Sequence, residues 1–148
     1  MRKKFMFITT LLFIACSGDS SSDRNPFLQE IGFRFEINLN LPLYNSLNTI
    51  GNAVYIGNSG VGTRGIFVIN TGLGNNPFFA WEASCPNHAP NNCSTMTIDG
   101  GTNCVCACED YEYSLFNGQL LSEPQAERTY GLLNYRTTIV GDIVTISN

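Results

Sequence analysis

Five of the six cysteines in this chain fall between positions 85 and 108: Cys85, Cys93, Cys104, Cys106 and Cys108. A fold that accommodates them must gather several thiols into a small volume, where they cross-link or hold metal. The compartment decides between these chemistries, because disulfides persist in oxidising surroundings and are rare in reducing ones. Simple pairing of an odd number leaves one thiol over.

The N-terminus speaks to the compartment. Arg2, Lys3 and Lys4 precede an apolar run from Phe5 to Ile14, the charged and apolar regions of a secretory signal. The run is too short for a membrane-spanning helix, which needs about 20 apolar residues. Phe13-Ile14-Ala15-Cys16 resembles the lipobox of bacterial lipoproteins, with the usual leucine displaced to Leu12. That resemblance implies cleavage before Cys16 and a diacylglyceryl group on its thiol. Acyl chains hold a protein on a membrane at about 0.8 kcal/mol per buried CH₂. Residues 1–15 are thus expected to be a signal peptide, residues 16–25 a lipidated N-terminus with a flexible Ser/Gly/Asp tether, and residues 26–148 the folded domain. Ser17 stands where an acidic residue can retain some lipoproteins at the inner membrane, so the expected location is the cell envelope, lipid-anchored at the outer membrane.

Three of the eight Lys and Arg residues lie in the leader. The domain therefore has no basic surface to follow nucleic acid phosphates, and nucleic-acid binding is excluded as a class. Phe33 to Leu39 alternates apolar and polar residues with period two, and short apolar runs follow at 54–56, 65–69, 78–82, 96–98, 103–106, 111–115, 135–140 and 143–146. Glycine-rich turns separate them. Regular short strands of this kind predict a sandwich or barrel-like all-β domain with no long helix. Asn58 to Gly65 is glycine-rich but lacks the Lys-Ser/Thr of a phosphate loop, so it reads as a plain turn.

From Arg64 onward the chain resembles the Rieske iron–sulfur domain. Gly65–Ile69 and Phe78–Glu82 are similar to the strands leading into that family's first cluster loop. Ala83-Ser84-Cys85-Pro86-Asn87-His88 stands where the family has Cys-x-His. Cys106-Ala107-Cys108-Glu109, continuing through Tyr111 and Tyr113 to Gly118, stands where it has Cys-Pro-x-His. The resemblance implies a Rieske-like all-β fold of small antiparallel sheets with two cysteine-bearing loops at one tip.

A Rieske centre holds one iron by two cysteine thiolates and the other by two histidines. Cys85 and Cys106 match the thiolate positions, but Asn87 and Glu109 occupy the histidine positions, and His88, the only histidine, lies one residue late. Cys93 and Cys108 match cysteines that some members join by a disulfide. Three outcomes follow. In the first, which is the expectation, the cluster is lost, disulfides join Cys85 to Cys106 and Cys93 to Cys108, and Cys104 is left over. That pairing also suits alternating positions on one face if residues 104–108 are extended. In the second, a 2Fe-2S cluster survives with altered ligands drawn from Cys85, Cys106, His88, Glu109, Cys104 and Cys108. In the third, zinc is bound, although no paired Cys-x-x-Cys knuckles are present.

The expected function is a membrane-tethered binding or structural module without a cofactor. Its rigid tip loops would serve as a recognition surface for an unknown protein partner. The alternative is a 2Fe-2S electron-transfer protein held by Cys85, His88, Cys106 and Glu109 and serving a redox partner. Enzymatic activity finds no support. His88 lacks a nucleophile at motif spacing and reads as a surface loop residue, and Glu109, Asp110 and Glu112 read as solvated turn acids.

Overall fold

The run Ile66-Phe67-Val68-Ile69 is apolar at every position, as a strand buried on both faces must be. In the computed structural model, which describes residues 24–148, it forms the centre of β3. The leader and Cys16 lie outside the described residues. Strands β1 (Arg34–Asn38), β2 (Ala53–Ile56), β3 (Ile66–Asn70), β4 (Phe78–Glu82), β8 (Asn134–Val140) and β9 (Ile143–Ser147) form one sheet in the order β1-β9-β8-β4-β3-β2. Strands β5 (Thr97–Asp99), β6 (Asn103–Cys106) and β7 (Tyr111–Ser114) form a second, three-stranded sheet. Neighbouring strands pair antiparallel throughout. The domain is all-β, as expected, and its glycine turns fall where the period-two runs stop.

Successive side chains on a strand point to opposite faces, and β3 uses this to serve two cores. Ile66 and Val68 pack with Ile37, Leu47, Tyr135 and Val144, whereas Phe67 and Ile69 pack with Trp81, Met96, Tyr113 and Leu115. The second core carries the small sheet, so the β3–β4 hairpin is the wall that positions it. One element was absent from the sequence reading, a short 3-10 helix at Pro42–Asn48 that buries Tyr44 and Leu47. Proline suits its first turn, where a backbone N–H has no partner to lose.

Glu82, at the end of β4, is completely buried. Its carboxylate accepts hydrogen bonds from the N–H groups of Thr63 (2.7 Å), Arg64 (2.9 Å) and Ser84 (2.9 Å) and from the Tyr135 hydroxyl (2.6 Å). A carboxylate offers about four acceptor sites, and burial is tolerable only when they are filled. The glycine-rich turn thus aims its N–H groups at an acid of its own chain. Gly62 has φ +64°, and a Cβ there would lie 2.7 Å from the Gly65 carbonyl and 2.9 Å from Glu82 Oε2, so glycine is required. Gly118, at φ +72°, is required for another reason: a Cβ would sit 2.6 Å from the Trp81 ring.

Glu82→Gln places an amide N–H₂ against donors. It is expected to cost about 2–4 kcal/mol, read as a lower urea midpoint at unchanged slope. Tyr135→Phe removes one donor and should cost about 2 kcal/mol.

Candidate functional site

Two loops meet beyond β4 and β6. In the first, the Cys85 N–H donates to the Ser94 carbonyl (2.8 Å) and the Met96 N–H to the Ala83 carbonyl (2.8 Å). Cys85 therefore stays on a ladder-like stem while residues 86–93 extend past it. The second is the tight turn between β6 and β7, residues 107–110, in which Asp110 takes φ 56°. Aspartate adopts that conformation more readily than most side chains. Strand β6 ends at Cys106, so Cys108 lies in the turn and does not share the strand face expected for residues 104–108.

The structure joins Cys93 to Cys108 by a disulfide, which ties the loops together. Cys85, Cys104 and Cys106 are free and buried. The expected Cys85–Cys106 bond is therefore not formed. Both sulfurs face Glu109 instead, with its Oε2 3.3 Å from Cys85 Sγ and 3.2 Å from Cys106 Sγ. His88 completes the group: its Nε2 lies 3.5 Å from Cys106 Sγ and 3.3 Å from Glu109 Oε2. The four donor atoms all lie within 4.8 Å of one another.

Two sequence expectations change here. His88 is not an exposed loop residue, since its side chain is only 16% exposed. Its Nδ1 lies 3.0 Å from the Ala89 carbonyl, which favours a proton on Nδ1 and a lone pair on Nε2 facing the sulfurs. Asn87, which stands at a histidine position of the family, turns inward and away from the sulfurs. Its side-chain amide donates to the Tyr113 hydroxyl (2.7 Å) and the Tyr130 carbonyl (3.0 Å), and its Oδ1 accepts from the Tyr130 N–H (2.7 Å). With Asn87 turned inward as a clamp, the next residue takes the outward position. Tyr130 was invisible to sequence reasoning because only the folded chain brings it to the loop. Of the three turn acids, Glu109 is in the site and Glu112 accepts from the Asn103 amide (2.6 Å).

The sulfurs are electrostatically unlike. Cys85 is pushed up by its hydrogen bond to Cys106 and by burial. Cys106 is lowered to about 6 by that same bond from Cys85, against the effect of burial and with help from His88 and the Cys108 N–H. Two adjacent thiols cannot both ionise freely, so one keeps the proton and the other becomes the thiolate. Burial works against a charge on His88, but its contacts with the Ala89 carbonyl, Cys106 and Glu109 outweigh it, and its pKa rises. Cys104 stands apart, against Met96 at 3.9 Å, and burial pushes it up to about 12.

Replacing Cys93 and Cys108 together by serine opens a loop closed across 15 residues. This should cost about 3 kcal/mol in urea unfolding under oxidising conditions, and nothing when wild type is compared under reductant. Asn87→Ala removes a partner from the Tyr113 hydroxyl and from both the carbonyl and the N–H of Tyr130, and should cost about 2–3 kcal/mol.

No family model and no curated protein matches the chain. Among solved structures, it is similar to a chain from the complex of reduced oxygenase and oxidized ferredoxin in carbazole 1,9a-dioxygenase, with TM-score 0.48 and 18% identity over 80% of this chain and 94% of that one. A second chain, from the reduced complex between oxygenase and ferredoxin of that dioxygenase, matches at TM-score 0.48 and 10% identity, over 28% of its own length. A putative nitrite reductase NADPH small subunit matches at TM-score 0.40 and 15% identity, over 76% of this chain and 97% of that one. The domain itself has an all-β frame whose two cysteine-bearing loops meet at one tip, each contributing one free thiol and one further donor.

Proposed function

We propose that the chain is an exported, lipid-anchored envelope protein whose Rieske-like tip works without the two-iron cluster, as a rigid binding module for a protein partner. The carrying observation is the contact of Glu109 Oε2 with both Cys85 Sγ and Cys106 Sγ, at 3.3 and 3.2 Å. A 2Fe-2S centre needs its cysteine pair and its second ligand pair on opposite sides of a diamond of two irons and two sulfides. Here the pairs touch, so these residues as arranged do not fit that group. Rigidity supports the reading: the Cys93–Cys108 disulfide ties the two loops to each other, and the Asn87 clamp and the Glu82 carboxylate fix the first loop to the sheets. Rigid surface loops are what recognition requires. The lipid anchor rests on the lipobox resemblance at Cys16.

A second reading, a one-electron carrier with altered ligation, is favoured by the convergence of Cys85, His88, Cys106 and Glu109 on one point. It requires the loops to open enough to admit four more atoms.

The test is iron and acid-labile sulfide content with a visible spectrum, on the full chain exported and extracted in detergent. Colourless protein without sulfide is expected, whereas brown protein with about two irons and two sulfides per chain would establish the electron carrier instead. Cys16→Ser should move the protein from the membrane fraction to the soluble fraction.

A further inference from the structure

We infer that the tip holds a single tetrahedral zinc-class divalent ion, through Cys85 Sγ, Cys106 Sγ, His88 Nε2 and Glu109 Oε2. The inference rests on the cluster-free reading above and names the ligand of that same site. Tetrahedral zinc, with bonds of about 2.3 Å to sulfur and 2.0–2.2 Å to nitrogen or oxygen, spaces its ligand atoms about 3.3–3.8 Å apart. The donor pairs here stand at 3.2 Å (Cys106 and Glu109), 3.3 Å (Cys85 and Glu109), 3.3 Å (His88 and Glu109) and 3.5 Å (His88 and Cys106), with every donor within 4.8 Å of the others. Four of the six edges of one tetrahedron are thus already near their lengths.

The surroundings are those of a ligand set. The Ala89 carbonyl takes the Nδ1 side of His88, and a metal-bound histidine ordinarily directs its second nitrogen to such an acceptor. The Tyr113 hydroxyl, which accepts from Asn87, faces Cys85 Sγ at 3.9 Å. Both cysteines are fully buried, and His88 and Glu109 cover them from the solvent side. Two thiolates, an imidazole and a carboxylate close all four positions, which is the pattern of a structural site and leaves none for a substrate. Two of the ligands come from each loop. The ion would therefore bind the loops to one another independently of the disulfide, and it would keep the two free sulfurs from oxidising to each other.

The proposal is tested on the full chain, exported and extracted in detergent without chelator. Elemental analysis should find about one zinc per chain and no acid-labile sulfide, and Cys85 and Cys106 should resist alkylation until zinc is removed with a chelator. Cobalt(II) added to the stripped protein should give the intense visible absorption of a tetrahedral thiolate site. Cys106→Ser should abolish zinc retention. Glu109→Gln, on a partly exposed loop residue, should keep the fold and weaken zinc binding by at least about 10-fold. Cys104→Ser should change neither. Two irons with two sulfides would overturn this inference and the cluster-free reading together. A sulfide-free chain that retains no zinc, whether Cys85 and Cys106 are freely alkylated or joined to each other by mass spectrometry, would overturn this inference alone. Zinc retained unchanged in both Cys106→Ser and Glu109→Gln would also overturn it.

Discussion

The Glu82 carboxylate is the point on which the tip depends. It lies where β4 gives way to the first cysteine loop, and its four donors come from three separate stretches: the glycine-rich turn, the loop stem at Ser84 and the neighbouring strand at Tyr135. A buried charge is costly, and the cost is offset only while every donor stays in place. That condition makes the arrangement cooperative, since movement of the turn, the stem or the strand leaves the charge short of a partner. The turn in its turn reaches the loop, where the Arg64 guanidinium donates to the Asn91 carbonyl at 3.0 Å. One side chain thereby fixes the starting geometry of the loop that carries Cys85 and His88.

Above that foundation, the tip is held on two sides by different chemistry. The disulfide joins the outer parts of the loops covalently, while Asn87 joins the inner part of the first loop to Tyr113 of β7 and to Tyr130. Between these restraints lie two buried thiols, with an imidazole and a carboxylate between them and the solvent. The hydrogen bond between the two thiols separates them in proton affinity, raising Cys85 and lowering Cys106. Asn87 also explains how a histidine one residue late becomes useful. An inward clamp at position 87 turns position 88 outward to Cys106 and Glu109 of the other loop.

Much of the frame was legible because strands announce themselves by period. The fully apolar β3 and the alternation in β1 follow from the two faces of a strand, and glycines such as Gly62 and Gly118 mark places where a Cβ has no room. The 3-10 helix at Pro42–Asn48 was not legible, because seven residues at three per turn are too few to show a period. The site was half legible. The identities of Cys85, His88, Cys106 and Glu109 as candidate donors came from the resemblance of their two stretches to the cluster loops of the Rieske family. Their mutual contact, the inward turn of Asn87 and the end of β6 at Cys106 did not.

The sequence by itself determined that the domain is all-β, that cysteines crowd two loops, and that too few histidines are present for a Rieske ligand set, since these follow from residue type and local periodicity. Only the tertiary structure decided which thiols pair and which remain free, and which side chains face one another across the loops. Those outcomes depend on backbone directions and distances between residues far apart in the chain. Sheet pairing, the Cys93–Cys108 bond and the buried Glu82 network fix these together, and no local stretch of sequence contains them.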